Sequence, residues 1–114
     1  MGFCKLGSNQ EFKKVYHDGR SRANRDLVMY VVKGNSGPSR YGFSVSKKVG
    51  NSVQRHRVTR LFREVVRRYD AKVTEGNRII LIARPSVLGK SLDEICEGFI
   101  SLCKAHRIWK EQSE

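Results

Sequence analysis

Asn51-Ser52-Val53-Gln54-Arg55-His56-Arg57-Val58-Thr59-Arg60-Leu61-Phe62-Arg63-Glu64-Val65-Val66-Arg67-Arg68-Tyr69 reads as one helix, from about Ser52 to Tyr69. Asn51 and Gln54 stand three apart, the spacing of a capping pair that satisfies orphan backbone donors at a helix start. Val58, Leu61, Phe62, Val65 and Tyr69 recur at i, i+3, i+4, i+7 and i+11. At about 100° per residue they fall within a narrow arc. Arg60, Arg63 and Arg67 lie on the opposite side, and Arg57 and Arg68 flank it. One face must be covered by an apolar layer, while the other carries guanidinium groups.

Material for that layer lies on both sides of the helix. Upstream, Leu27-Val28-Met29-Tyr30-Val31-Val32 is apolar at both parities, so a strand here needs cover on both faces. Gly34-Asn35-Ser36-Gly37-Pro38 is a turn-rich loop, and Arg40 to Ser46 is a second strand, which together predict a hairpin with a long connection. Arg20 to Arg25, before the first strand, is a polar stretch. Further upstream, Ser8 and Glu11 have capping-box spacing, Phe12, Val15 and Tyr16 share a helical face, and Gly19 is expected to close that helix in the left-handed conformation.

Downstream, Arg78-Ile79-Ile80-Leu81-Ile82-Ala83-Arg84 follows Glu75-Gly76-Asn77 and stops at Pro85, as a short buried strand would. Ser91 and Glu94 open a last helix whose Leu92, Ile95, Cys96, Phe99, Leu102 and Cys103 face a core. The predicted order is helix, strand, strand, strand or turn material, basic helix, strand, helix. That order fits a single α+β domain, a two-layer α/β sandwich with three helices packed on a small mixed sheet. At 114 residues, one domain accounts for the whole chain.

Charge narrows the function. There are 23 Lys and Arg against 11 Asp and Glu, a formal net charge of +12, and between Arg40 and Arg68 nine basic residues face a single acid, Glu64. Like charges at i+3 and i+4 cost helix stability, so the arrangement asks for a polyanion. Arginine suits phosphate because its planar fork donates two hydrogen bonds and stays charged. A membrane surface fits poorly, since the basic helix needs its apolar face for the core and lacks Trp. No apolar run approaches the roughly 18 residues needed to cross a bilayer, and Met1 to Gly7 lacks a secretory apolar segment, so a soluble cytoplasmic protein is expected.

Aromatic rings offer a second clue. Phe12, Tyr16, Tyr30, Tyr41 and Phe43 fall in the first helix and the first two strands, where a groove between them could stack unpaired bases. For Phe12 and Phe43, core and groove both stay open. The hydroxyls of Tyr16 and Tyr30 favour the groove. Catalytic equipment is sparse: His17, His56 and His106 are far apart, His17 and His106 read as surface residues near helix ends, and no paired carboxylates accompany the basic block. Cys4, Cys96 and Cys103 form no C-x-x-C pair, and the last two read as core residues. Neither a metal site on the protein nor a Gly-rich phosphate loop is expected.

From Ser44 to Glu64, the stretch Ser44-Val45-Ser46-Lys47-Lys48-Val49-Gly50-Asn51-Ser52-Val53-Gln54-Arg55-His56-Arg57-Val58-Thr59-Arg60-Leu61-Phe62-Arg63-Glu64 resembles the signature of the bacterial ribonuclease P protein family. The resemblance extends to Glu11-Phe12-Lys13-Lys14-Val15-Tyr16 with Gly19, to Leu27-Val28-Met29-Tyr30, and to Ile80-Leu81-Ile82-Ala83-Arg84, in the family's order. It implies an α/β sandwich with a left-handed crossover around the basic helix, an exception to the right-handed rule. It implies a protein that pairs one to one with a catalytic RNA and grips the 5′ leader of precursor transfer RNA, while the RNA holds most of the Mg2+ and cuts the phosphodiester. On that implication Lys47, Lys48, Asn51, Arg55, His56, Arg57, Arg60, Arg63 and Arg67 meet the RNA subunit, and Phe12, Tyr16, Tyr30 and Phe43 form the leader cleft. His56 replaces a usual Asn, and Thr59 stands where a basic residue commonly precedes Arg60. A ribosomal or other structural RNA-binding protein is the competing expectation.

Overall fold

In the computed structural model, which describes residues 4–34 and 36–110, the elements run β1 (Cys4–Lys5), α1 (Asn9–Asp18), β2 (Arg20–Ala23), β3 (Leu27–Val32), β4 (Arg40–Ser44), α2 (Ser52–Tyr69), β5 (Arg78–Ala83) and α3 (Leu92–Ala105). Met1, Gly2 and Phe3 of the N-terminal stretch, and Asn35 of the turn-rich loop, lie outside the described residues. The strands form one mixed sheet in the order β1-β4-β5-β3-β2. β5 is parallel to β4 and antiparallel to β3, so α2 forms the crossover between two adjacent parallel strands.

Side-chain alternation sorts the sheet into two faces. Leu27, Met29 and Val31 of β3, Tyr41 of β4, and Ile79, Leu81 and Ala83 of β5 join Val58, Phe62, Val65 and Val66 of α2 and Ile95, Phe99 and Leu102 of α3 in the larger core. α2 and α3 thus make the expected sandwich with that face. α1 lies across the other face, where Val15 and Leu6 pack on Ile80 with Phe12, Tyr30, Val32 and Ile82 at the margins. Apolar residues at both parities of β3 are therefore both used, as the run itself required.

Two expectations about strand pairing are corrected. β3 and β4 do not form a hairpin, because β5 lies between them and bonds to both. Ser39, the residue before β4, is anchored to the segment that precedes β5: Ser39 Oγ donates to the Thr74 carbonyl at 3.0 Å and accepts from the Asn77 N–H at 3.0 Å. β3 instead pairs with β2, which is the polar stretch Arg20–Ala23, in the register Arg20↔Val31 to Ala23↔Val28. All four residues of β2 are exposed, so an edge strand held by backbone bonds gives no apolar alternation to read.

Helix ends follow their signals with two changes. α2 and α3 have reciprocal capping boxes, Asn51 with Gln54 and Ser91 with Glu94. In α1, Ser8 Oγ accepts from the Glu11 N–H at 3.2 Å, but the Glu11 carboxylate reaches the N–H of Gly7 in place of Ser8. Gly19 is not left-handed: its φ is −81° and ψ 160°, ordinary extended backbone. Glycine is needed there for proximity, since a Cβ would sit 2.5 Å from the Val15 carbonyl oxygen and 3.1 Å from that of Val31.

Candidate RNA-binding surface

α2 leaves the C-terminal end of β4 through the turn Ser46-Lys47-Lys48-Val49, closed by Val49 N–H donating to the Ser46 carbonyl at 3.0 Å. Val49 is buried in the larger core, which fixes the turn and leaves Lys47 and Lys48 exposed. The cap that follows is neutral: Asn51 Oδ1 accepts from the Gln54 N–H, and Gln54 Oε1 accepts from the Asn51 N–H, each at 2.9 Å. Asn51 is therefore already employed in starting the helix. α2 has no acid in its first turn, where the helix dipole would favour one.

The predicted basic residues divide by their partners. His56, Arg57 and Arg60 are exposed, and their side chains have no hydrogen bond or ion pair among the described residues. Arg55 is half-buried and folds back, its Nε donating to the Gly50 carbonyl at 3.2 Å. Thr59, also half-buried, donates its hydroxyl to the Arg55 carbonyl at 3.1 Å. Arg63 is half-buried, and its Nε is buried without a partner among the described residues. Arg67 and Arg68 differ from the rest: both bind Glu64, at 2.9 and 3.2 Å, beside the C-terminal carbonyls that cations favour. Their charge is explained by the helix itself, whereas that of Lys47, Lys48, Arg57 and Arg60 is not.

The aromatic residues separate by sheet face. Phe12 and Tyr16 of α1 and Tyr30 of β3 gather on the α1 side, with Tyr16 edge-on to Tyr30 at a centroid distance of 5.0 Å. Tyr16 keeps 39% of its surface exposed. Gly42 of β4 makes room for this group, since a Cβ there would meet the Phe12 ring at 2.4 Å. Beyond the rings, Ser44, Ile82 and Val28 lie in one row across the sheet, paired Ser44↔Ile82 and Val28↔Ile82, and all three are half-buried. Rings and row lie on the sheet face that carries α1.

Phe43 does not join them. It points to the opposite face, where its ring meets Phe62 of α2 at 5.8 Å, because it shares parity with Tyr41 and not with Gly42. Tyr41 is also core, its hydroxyl donating to Asp70 Oδ1 at 2.7 Å, and burial pushes the phenol's pKa up. A parity count from Gly42, a residue with no side chain to compete with the Phe12 ring, would have placed both.

Among the histidines, His17 is exposed beside Asp18, as expected. His106 is corrected: it is buried, and its Nε2 lies 3.0 Å from the Met29 carbonyl oxygen, tying the end of α3 to the middle of β3. Burial lowers its pKa against the hydrogen bond, with Arg22 and Lys33 adding to the lowering. Cys96 and Cys103 are buried, and burial pushes the Cys103 thiol up to about 12, so neither is a reactive thiol. Among the described residues no three His, Cys, Asp or Glu side chains converge as a metal would need. No helix among them is long and apolar enough to cross a membrane.

A family model described as Ribonuclease P matches residues 3–107. The ribonuclease P protein component of Lachnoclostridium phytofermentans is 47% identical over 103 residues, covering 90% of this chain and 89% of that protein. That of Alkaliphilus metalliredigens is 42% identical over 104 residues, covering 91% and 94%. Among solved structures, the Staphylococcus aureus RNase P protein superposes with a TM-score of 0.83 at 29% identity, over 92% of this chain and 96% of that one. The Thermotoga maritima RNase P protein gives 0.81 at 25% identity, over 89% and 96%. Sequence, strand order and helix placement thus agree from β1 to the end of α3, and the chain belongs to the bacterial ribonuclease P protein family, a subunit of the endoribonuclease that processes the 5′ end of transfer RNA.

Proposed function

We propose that the chain binds the catalytic RNA through the start of α2 and holds the 5′ leader of precursor transfer RNA in a groove beside α1. The observation that carries this reading is the unpartnered charge of Lys47, Lys48, Arg57 and Arg60 around a helix start with no acid in its first turn. Dipole and side chains there have the same sign, so the region gains most from a phosphate. His56 lies between the two arginines of that segment and adds a ring donor or acceptor to the same surface.

The groove suits single-stranded RNA for a different reason. Tyr16 and Tyr30 present partly exposed rings beside the row Ser44, Ile82 and Val28, and stacking on such rings tolerates any base. A sequence-tolerant grip fits a leader whose sequence varies among precursors. By holding a segment that the product lacks, the protein favours precursor over mature transfer RNA. By neutralising phosphates, it lowers the magnesium concentration the RNA needs. On this reading the RNA holds the metal and carries out the cleavage step.

The test is cleavage of precursor transfer RNA at low magnesium by a bacterial ribonuclease P RNA, with and without the protein, beside the protein alone. Cleavage only when both are present is the expected result. Cleavage by the protein alone would overturn the division of labour, and a cognate RNA that gains nothing would overturn the subunit role in catalysis. Tyr16→Ala is expected to weaken precursor binding by about 1 kcal/mol, the lower end of the range for one stacked base, with mature transfer RNA binding unchanged. An equal loss on both would remove the leader assignment.

A further inference from the structure

At the corner of the sheet diagonally opposite the start of α2 lies a cavity of about 720 Å³, walled by Arg20, Arg22, Lys33, Arg107, Asp18 and the buried ring of His106. β4 and β5 run parallel and β3 antiparallel to them, so Lys33 after β3 lies at the end of the sheet away from the β4–α2 turn. Arg20 and Arg22 pair with Val31 and Met29, which places them on the α3 side of the edge strand.

Three observations set this corner apart from an ordinary solvated edge. The side chains of Arg20, Arg22, Lys33 and Arg107 are exposed and have no hydrogen bond or ion pair among the described residues. The one carboxylate in the wall, Asp18, is engaged by His17 at 2.8 Å. Arg107 has a φ of 62°, in the left-handed region, at the position after the α3 cap where glycine is the low-strain residue. There Arg107 N–H donates to the Lys104 carbonyl and Ile108 N–H to that of Cys103, so these carbonyls near the end of α3 are already satisfied. The bond from His106 to Met29 ties the wall to β3.

We infer that this corner is a second phosphate-binding site, formed by Arg20, Arg22, Lys33 and Arg107, that grips RNA at a point separate from the α2 surface. It rests on the reading of the chain as an RNA-binding subunit and extends it to the other end of a molecule 39 × 36 × 27 Å across. Three of the four cations are arginines, whose forked donors match phosphate oxygens. Among the described residues the large exposed apolar side chains, Tyr16 and Val53, lie elsewhere, which favours RNA over a lipid surface as the occupant.

The experiment follows affinity against salt concentration for the full chain and its Arg22→Gln, Arg107→Gly and Arg60→Gln variants. Each is titrated with ribonuclease P RNA alone and, as holoenzyme, with precursor transfer RNA. For every phosphate that a variant no longer neutralises, the slope of log K against log salt should fall by roughly 0.7 to 0.9. Arg107→Gly is expected to unfold at the same or a higher temperature, since glycine relieves the strained backbone, yet to bind RNA several-fold more weakly. Arg22→Gln should lower the slope on the same RNA, and that RNA identifies whether the catalytic subunit or the substrate occupies the corner. If Arg22→Gln and Arg107→Gly keep the full slope on both RNAs while Arg60→Gln lowers it, the second site is wrong and the α2 reading stands. If Arg60→Gln is silent as well, both fail.

Discussion

The start of α2 and the start of α3 are built from the same motif with opposite charge. At α3, Ser91 and Glu94 form the capping box and Asp93 adds a second acid, all favourable to the dipole. At α2, Asn51 and Gln54 make the same two hydrogen bonds with neutral groups, and Lys47, Lys48, Arg55 and Arg57 surround them. The first arrangement is complete in the free protein. The second satisfies the backbone but leaves the field positive, open to an anion from outside. On the proposed function, a cap can report what a helix end is for: where Glu at the third position would serve the dipole better and Gln stands instead, the stability forgone would serve binding.

The largest effects that would test this contrast come from removing each cap. Asn51→Ala and Ser91→Ala should each cost about 1 to 2 kcal/mol of stability in urea unfolding. Only Asn51→Ala should also weaken RNA binding in a titration of the folded protein, and an equal loss from Ser91→Ala would break the comparison. Gln54→Glu is the sharper test, because it keeps the cap and adds the missing charge. Stability should rise by about 0.3 to 1 kcal/mol while RNA affinity at low salt falls by about 1 kcal/mol, roughly fivefold. A gain in both quantities would mean that the neutral cap has no role in binding.

Acid is the gentlest probe. The Ser91 N–H donating to Glu94 holds that carboxyl below the ordinary range, so its stabilising effect is present above the unfolded value and is lost as pH falls through the folded one. Glu94→Gln should therefore flatten part of the loss of stability below about pH 4.3, followed by circular dichroism. Glu11, lowered chiefly by the Gly7 N–H, contributes in the same window and serves as the comparison at α1. The α2 cap holds no titratable group and should add nothing there.

Most of the fold is legible in the sequence wherever periodicity or a capping pair carries it. α2 runs from Ser52 to Tyr69 as its apolar spacing requires, and Gln54 and Glu94 return to their caps as predicted. The features that escape such reading have no local signal. β2 is held by backbone bonds alone, and its four exposed residues look like a loop. The pairing of β4 with β5 joins residues on either side of an 18-residue helix, which local turn chemistry cannot announce. Phe43 and Phe12 are both aromatic and both in the right elements, but only strand parity decides that one faces Phe62 and the other Gly42. His106 reads as a surface residue at a helix end because its partner, the Met29 carbonyl, lies 77 positions away.

The place of β5 has a consequence for how the chain reaches this structure. It is the central strand and bonds to both β3 and β4, yet among the described strands it is the last to leave the ribosome. Until Arg78–Ala83 are available, β3 with β2 and β4 with β1 have no common partner to join them into one sheet. Such non-local pairing pays its loop-closure entropy before it is rewarded, which slows folding. The whole basic block from Lys47 to Arg68 is thus synthesised and exposed before the sheet can close, so a nascent chain presents its most concentrated positive charge in advance of its fold.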